Sequence, residues 1–240
     1  MQNSYVIYEG LSVLDNQPIV VIASGFANKS ANDKTGNMIQ TFILRSDVEP
    51  HQAVKTGDDS SVCGNCVHRP ANGGACYVKV FQAPLSVFRA WKRGNIPKLP
   101  SNDLFADKLV RFGSYGDPAA VPVSVLKAIK DVCAGSTGYT HQTAHKNFDN
   151  AVLDYRMVSA DTPKQAKKHH EHKLRTFRVK VEGAPLLYNE IECLADSKGL
   201  TCAECKLCET ATSDAPNIAI NVHGATKKRY SDKFSKVNFA

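Results

Sequence analysis

No run of this chain approaches the eighteen or so apolar residues that a membrane-spanning helix needs. The longest, PIVVIASGFA at 18–27, is interrupted by Ser24 and Gly25, so no membrane partner is expected. The opening residues MQNSYVIYEG lack a basic region followed by an apolar stretch, which argues against a secretory leader. No internal repeat or low-complexity tract is present. With no export signal, the expected location is a reducing cytoplasm. Thiols stay unpaired there, and the eight cysteines read as metal ligands or catalytic groups rather than disulfides.

What is present is the composition of a globular protein: 240 residues, 42% hydrophobic and 22% charged. That length builds one sizeable core or two smaller ones. The formal charge of +7 gathers in KQAKKHHEHKLRTFRVK at 164–180 and KKRYSDKFSKVNFA at the C-terminal end. Basic stretches attract phosphate, so a nucleotide or nucleic-acid partner is allowed, with Arg175, Lys227, Lys228 and Arg229 as candidate contacts. The plainer reading is a solvated helix face and a loose terminus.

The pattern alternates along the chain. PIVVIAS and MIQTFILRS read as strands, joined by the polar turn ANKSANDKTGN. A Gly- and Pro-rich loop follows with the first cysteines, VCGNCVHRPANGGACYV. APLSVFRAWKRG carries Leu85, Phe88 and Trp91 at helical spacing and stops at Gly94. KLVRFGSYGDP is a strand, PVSVLKAIKDVCAG a helix, STGYTHQ a short strand, NFDNAVLD a short helix and YRMVSAD a strand. TPKQAKKHHEHK is a basic helix entered through Thr162 as N-cap and Pro163 at the first helical position. LRTFRVKV and NIAINVHG complete the set. Strand and helix in alternation predict an α/β fold with parallel strands, an open or partial (β/α) barrel with Cys-rich metal-binding loops. The expected divisions are an N-terminal β-rich segment (1–60), a barrel-like domain (61–225) and a basic C-terminal tail (226–240).

Seven cysteines form two groups. Cys63, Cys66 and Cys76 are spaced C-x2-C-x9-C, with His68 two residues beyond Cys66. Cys193, Cys202, Cys205 and Cys208 are spaced C-x8-C-x2-C-x2-C. Two-residue gaps let successive thiolates turn toward one centre, which suits tetrahedral zinc and also iron–sulfur clusters. His68 could close a zinc site with the trio, or the trio could hold a cluster with one iron left open. In the second group His223 could replace Cys193 in a zinc site. Cys133, alone at the end of a predicted amphipathic helix, reads as a core residue.

Polar residues at strand ends supply the other candidates, because ligands of α/β folds bind at the carboxyl ends of strands. Asp117 follows a glycine and precedes a proline, a turn expected to expose its carboxylate at a pocket rim. His141, in YTHQ, and Asp161, in SADTP, are candidates for acid–base work beside it. Arg175 and Arg178 are candidates for phosphate or carboxylate contacts. On an alternating strand they point to opposite faces, so at most one is expected to face the pocket.

A cysteine loop ending in Cys76–Tyr77, then a helix, then a strand ending in YGDP resembles radical S-adenosylmethionine enzymes. The resemblance implies a cluster held by Cys63, Cys66 and Cys76, with S-adenosylmethionine bound near Tyr77, Gly116 and Asp117. It also implies that the C-terminal cysteines hold an auxiliary cluster. The family's usual C-x3-C-x2-C spacing is replaced here by C-x2-C-x9-C. The phrases RFGSYGDPAAVP, TGYTHQ and RTFRV, at 111–122, 137–142 and 175–179, are similar to those of bacteriophage proteins known by gene-product numbers, over roughly 60–225. That likeness implies action in a host cytoplasm. A zinc-bearing barrel similar to tRNA-guanine transglycosylases is the alternative, with Asp117 or Asp161 as nucleophile or base. The third reading is a non-enzymatic protein with structural metal that binds nucleic acid or a host protein.

Overall fold

The computed structural model describes residues 2–28 and 33–239. Part of the polar turn ANKSANDKTGN, residues 29–32, lies outside the described residues. Strands β1 (Ser4–Leu11), β2 (Pro18–Ser24), β3 (Ile39–Arg45), β4 (Leu109–Tyr115) and β5 (Gly135–Thr137) form one sheet in that order. The first two pairings are antiparallel, and β3–β4 and β4–β5 are parallel. A second sheet has the order β6 (Tyr139–Thr140), β7 (Met157–Ala160), β8 (Thr176–Lys180), β10 (Asn217–Asn221), β9 (Glu190–Glu192), and every pair in it is parallel.

Only Gly138 separates β5 from β6, so the two sheets meet at one residue. A Cβ there would stand 2.4 Å from Cδ of Arg156, which leaves room for no side chain. Arg156 is fully buried, its guanidinium 3.6 Å from the centre of the Phe112 ring. The joined sheets end at β1 and β9, so the wall does not close on itself.

The helices are α1 (Pro50–Thr56), α2 (Ser60–Cys63), α3 (Ala83–Lys92), α4 (Val123–Lys130), α5 (Pro163–Glu171), α6 (Leu194–Ser197), α7 (Cys202–Cys205) and α8 (Lys227–Asn238). As expected, α3, α4 and α5 are crossovers between parallel strands. The start of α5 follows the sequence signal: the Thr162 side chain accepts from the Gln165 N–H, with Pro163 behind it. The core lies between β2–β4 and the crossover helices, where Ile22, Ile43, Leu44, Phe88, Phe112, Leu126 and Ile129 are buried together. Each such side chain contributes about 1.5–3 kcal/mol through burial.

Four features depart from the sequence reading. SYVIYEGL is a strand whose alternation is blurred by a register shift between Val6 and Tyr8. Residues 1–60, expected as a β-rich segment packed on the barrel, join its sheet directly, β3 pairing with β4. NFDNAVLD forms a 3-10 turn over Asn150–Asp154. Finally, the basic tail is helix α8: between its lysines, Tyr230 and Phe234 recur at i, i+4 and are buried, so charge masks an amphipathic face. Among the described residues no helix is long and apolar enough to cross a membrane.

Candidate metal centre at the carboxyl ends of the strands

Parallel strands deliver the candidate residues to a common end. The first cysteine group lies between β3 and α3, Asp117 two residues past β4, His141 directly after β6, Asp161 directly after β7, and His223 two residues past β10.

Asp161 is the centre of the tightest group. Its Oδ1 lies 2.5 Å from His68 Nε2 and 3.4 Å from His141 Nε2. The donor atoms of these three residues all fall within 4.8 Å of one another, the only such trio of His, Cys, Asp or Glu among the described residues. His68, expected beside the cysteine trio, therefore turns its Nε2 to Asp161. Burial alone would raise the Asp161 carboxyl, yet the two imidazoles hold it well below the usual carboxylate range. Burial likewise opposes a charged His141, but Cys66 and Asp161 raise it well above the ordinary imidazole value.

Asp117 holds this group in place. Its carboxylate is buried, which corrects the expectation of an exposed rim position. Oδ1 accepts from the Ala119 N–H (3.0 Å), and Oδ2 accepts from the His141 N–H (2.8 Å) and from Gln142 Nε2 (3.4 Å). The physical reason is the turn before it. Gly116 has φ +83°, and a Cβ there would stand 2.6 Å from Ile43 Cβ, so the glycine tucks the turn under β3 and takes Asp117 with it. Gln142 extends the network, donating to the Cys63 carbonyl (2.9 Å) and accepting from the Asn65 N–H (3.0 Å). From the other side, α8 lays Tyr230 on the His68 ring (5.6 Å between centroids, stacked) and Phe234 beside it (5.7 Å).

All eight cysteines are free thiols. Burial pushes Cys63 well above its ordinary value, and Cys66 and Cys76 add to the shift. In the second group Cys208 is pushed up to about 12, first by burial and then by Cys202, Cys193 and Cys205. Each group thus gathers its thiols within electrostatic reach, although no three Sγ atoms lie within 4.8 Å of one another among the described residues. Cys133 is half-buried and packs against the main core, as expected.

Between the two groups stands Arg111. It donates to the Tyr77 hydroxyl (2.9 Å) and lies 6.0 Å from the centre of the Tyr139 ring. Tyr139 packs 4.2 Å from Phe177, while Tyr77 lies 5.8 Å from His223. His223 therefore faces Tyr77, and Cys193 is the residue that keeps company with the second group. Gln142 ends the polar run Thr140–Gln142 at a strand end, where a site residue is expected, but no motif marks Arg111. Arg111 did carry a signal, as a charge set between Val110 and Phe112 in an apolar strand.

The candidate phosphate contacts are mostly committed elsewhere. Arg175 is buried, and its guanidinium donates to the carbonyls of Leu207 (2.7 Å), Thr210 (2.9 Å) and Pro216 (2.7 Å) and to Ser213 Oγ (3.1 Å). It clamps the loop behind the second cysteine group and has no donor left for a nucleic acid. Arg178 is paired with Glu190, both side chains fully buried, so neither arginine faces a pocket. Lys227 pairs with Glu182, Lys228 with Asp232 one turn away, and Arg229 donates to the Gly74 carbonyl (3.3 Å).

No known protein-family model, curated protein or solved structure matches the chain.

Proposed function

We propose that this chain is an iron–sulfur protein on an open parallel barrel of the radical S-adenosylmethionine type, acting on a nucleotide or nucleic acid. The observation that carries the reading is the placement of the cysteines. In each group the thiols lie close enough to act on one another electrostatically, and the C-x2-C spacings together with the resemblance support a cluster there.

On this reading Cys63, Cys66 and Cys76 hold a cluster with an open iron, and S-adenosylmethionine is its partner by the resemblance. Such a cluster, when bound, supplies one-electron reduction. The chain's own part is positional. Asp117 and Gln142 fix the cysteine loop against the ends of β4 and β6. Arg111, held by Tyr77, offers a cation to an anionic substrate between the two cysteine groups. Cys193, Cys202, Cys205 and Cys208 hold the auxiliary cluster and close the loop that Arg175 clamps. The base-exchange alternative is disfavoured because the Asp117 oxygens accept three hydrogen bonds and Asp161 Oδ1 faces two imidazoles.

Anaerobic purification tests the reading. Brown protein carrying iron and acid-labile sulfide, with loss of part of the sulfide in Cys66→Ser, is the expected result. Colourless protein with zinc alone would overturn it.

A further inference from the structure

The His68–His141–Asp161 group lies outside the cysteine motifs, and its geometry calls for its own explanation. Its members come from three separate places, the β3–α3 connection, the end of β6 and the end of β7, and are 73 and 20 residues apart in sequence. Two imidazole Nε2 atoms and one carboxylate oxygen nevertheless face one point. Each member is locked by its own support. The His68 ring lies between His141 (5.5 Å, edge-on) and the rings of Tyr230 and Phe234. The His141 backbone is tied to Asp117, and the Asp161 N–H donates to Gln165 Oε1 (2.9 Å). Among the described residues nothing hydrogen-bonds the buried His68 Nδ1, so no partner fixes the proton of this ring on either nitrogen once a cation takes the place of the Nε2 proton that now faces Asp161.

We infer that His68, His141 and Asp161 hold a single divalent first-row cation, ferrous iron or zinc, adjacent to Cys66. Two histidines and one carboxylate on one side of an ion leave further coordination positions open. The ion balances the carboxylate and replaces the hydrogen bonds from the two imidazoles to Asp161. This inference stands apart from the cluster reading, because none of its three ligands is a thiol.

Metal and acid-labile sulfide counted on the same sample separate the two. Full-length protein is purified anaerobically, supplied with ferrous iron or zinc, and desalted. Wild type is expected to carry one metal equivalent that neither sulfide nor the cysteines account for. Asp161→Asn and His141→Gln, each checked for folding by circular dichroism, lose that equivalent and keep their sulfide. Cys205→Ser keeps the equivalent. If wild type has no sulfide but Asp161→Asn still loses one metal, the cluster reading fails and this inference survives. Full metal retention by both Asp161→Asn and His141→Gln overturns it, and so does wild-type metal that falls wholly with the cysteine substitutions.

Discussion

Around β2, β3 and β4 the buried side chains are Ile19, Val20, Ile22, Ile43, Leu44, Val110 and Phe112, and they pack on one another. In the second sheet β8 buries Thr176, Arg178 and Lys180 and leaves Phe177 and Val179 half-buried. There the fixing contacts are polar: Arg178 with Glu190, Lys180 with Asn221 (2.8 Å), and Arg175 with its loop carbonyls. Apolar burial is non-directional and tolerates small changes, whereas a buried ion pair is costly once one partner is lost. The half with the thinner apolar core also carries the second cysteine group. The cluster proposed there would contribute directly to folding, since structural metal binding and folding are one equilibrium.

Glu190→Ala should break this contrast most severely. It strands the Arg178 guanidinium in a fully buried position and removes the acceptor of the Leu187 N–H (2.7 Å). A loss of about 3–5 kcal/mol is expected in denaturant unfolding, with amide exchange rising first in β7–β10. Exchange that rises equally in β1–β5 would show that the two halves share one source of stability. Arg175→Leu comes next, at roughly 2–3 kcal/mol, for the charge-assisted hydrogen bonds it removes from the loop. Its amides at 207–216 should exchange faster, while the His68–His141–Asp161 group is untouched.

The smallest effect is the pH dependence of the metal-free protein. Asp161 titrates below its ordinary 3.8, so its contribution is present above that value and is lost as pH falls through the folded pKa. His141 titrates above its ordinary 6.5, so its contribution is full below that value and is lost as pH rises through the folded pKa. Chelator-treated protein should therefore be most stable between these limits, and Asp161→Asn should remove the acid flank and lessen the alkaline one, part of which Cys66 sustains. An unchanged profile in a thermal melt series would remove the pair as a source of stability.

Much of the α/β order was legible because local signals agree with it. Thr162 and Pro163 mark the start of α5, and Asp117, His141 and Asp161 sit at strand ends as their flanking residues suggest. Partnership was not legible. His68 and Asp161 are 93 positions apart, and spacing alone placed His68 with its near neighbour Cys66. Asp117 was read as exposed because a Gly-Asp-Pro turn carries no record of the β3 side chain above it. Arg175 looked like a phosphate contact because charge signals attraction to anions but not whether carbonyls have already taken every donor. The α8 face was hidden by the lysines that surround Tyr230 and Phe234.

Gly138 gives this division of labour a consequence for how the sequence can drift. The strand that leads from the apolar sheet into the polar one is interrupted at one position, and Arg156 fills the space a side chain would need there. Residues on either side can vary with their own neighbours, but any replacement at 138 requires a matching change at 156. The two positions should therefore be inherited as a unit, even where both sheets around them have diverged.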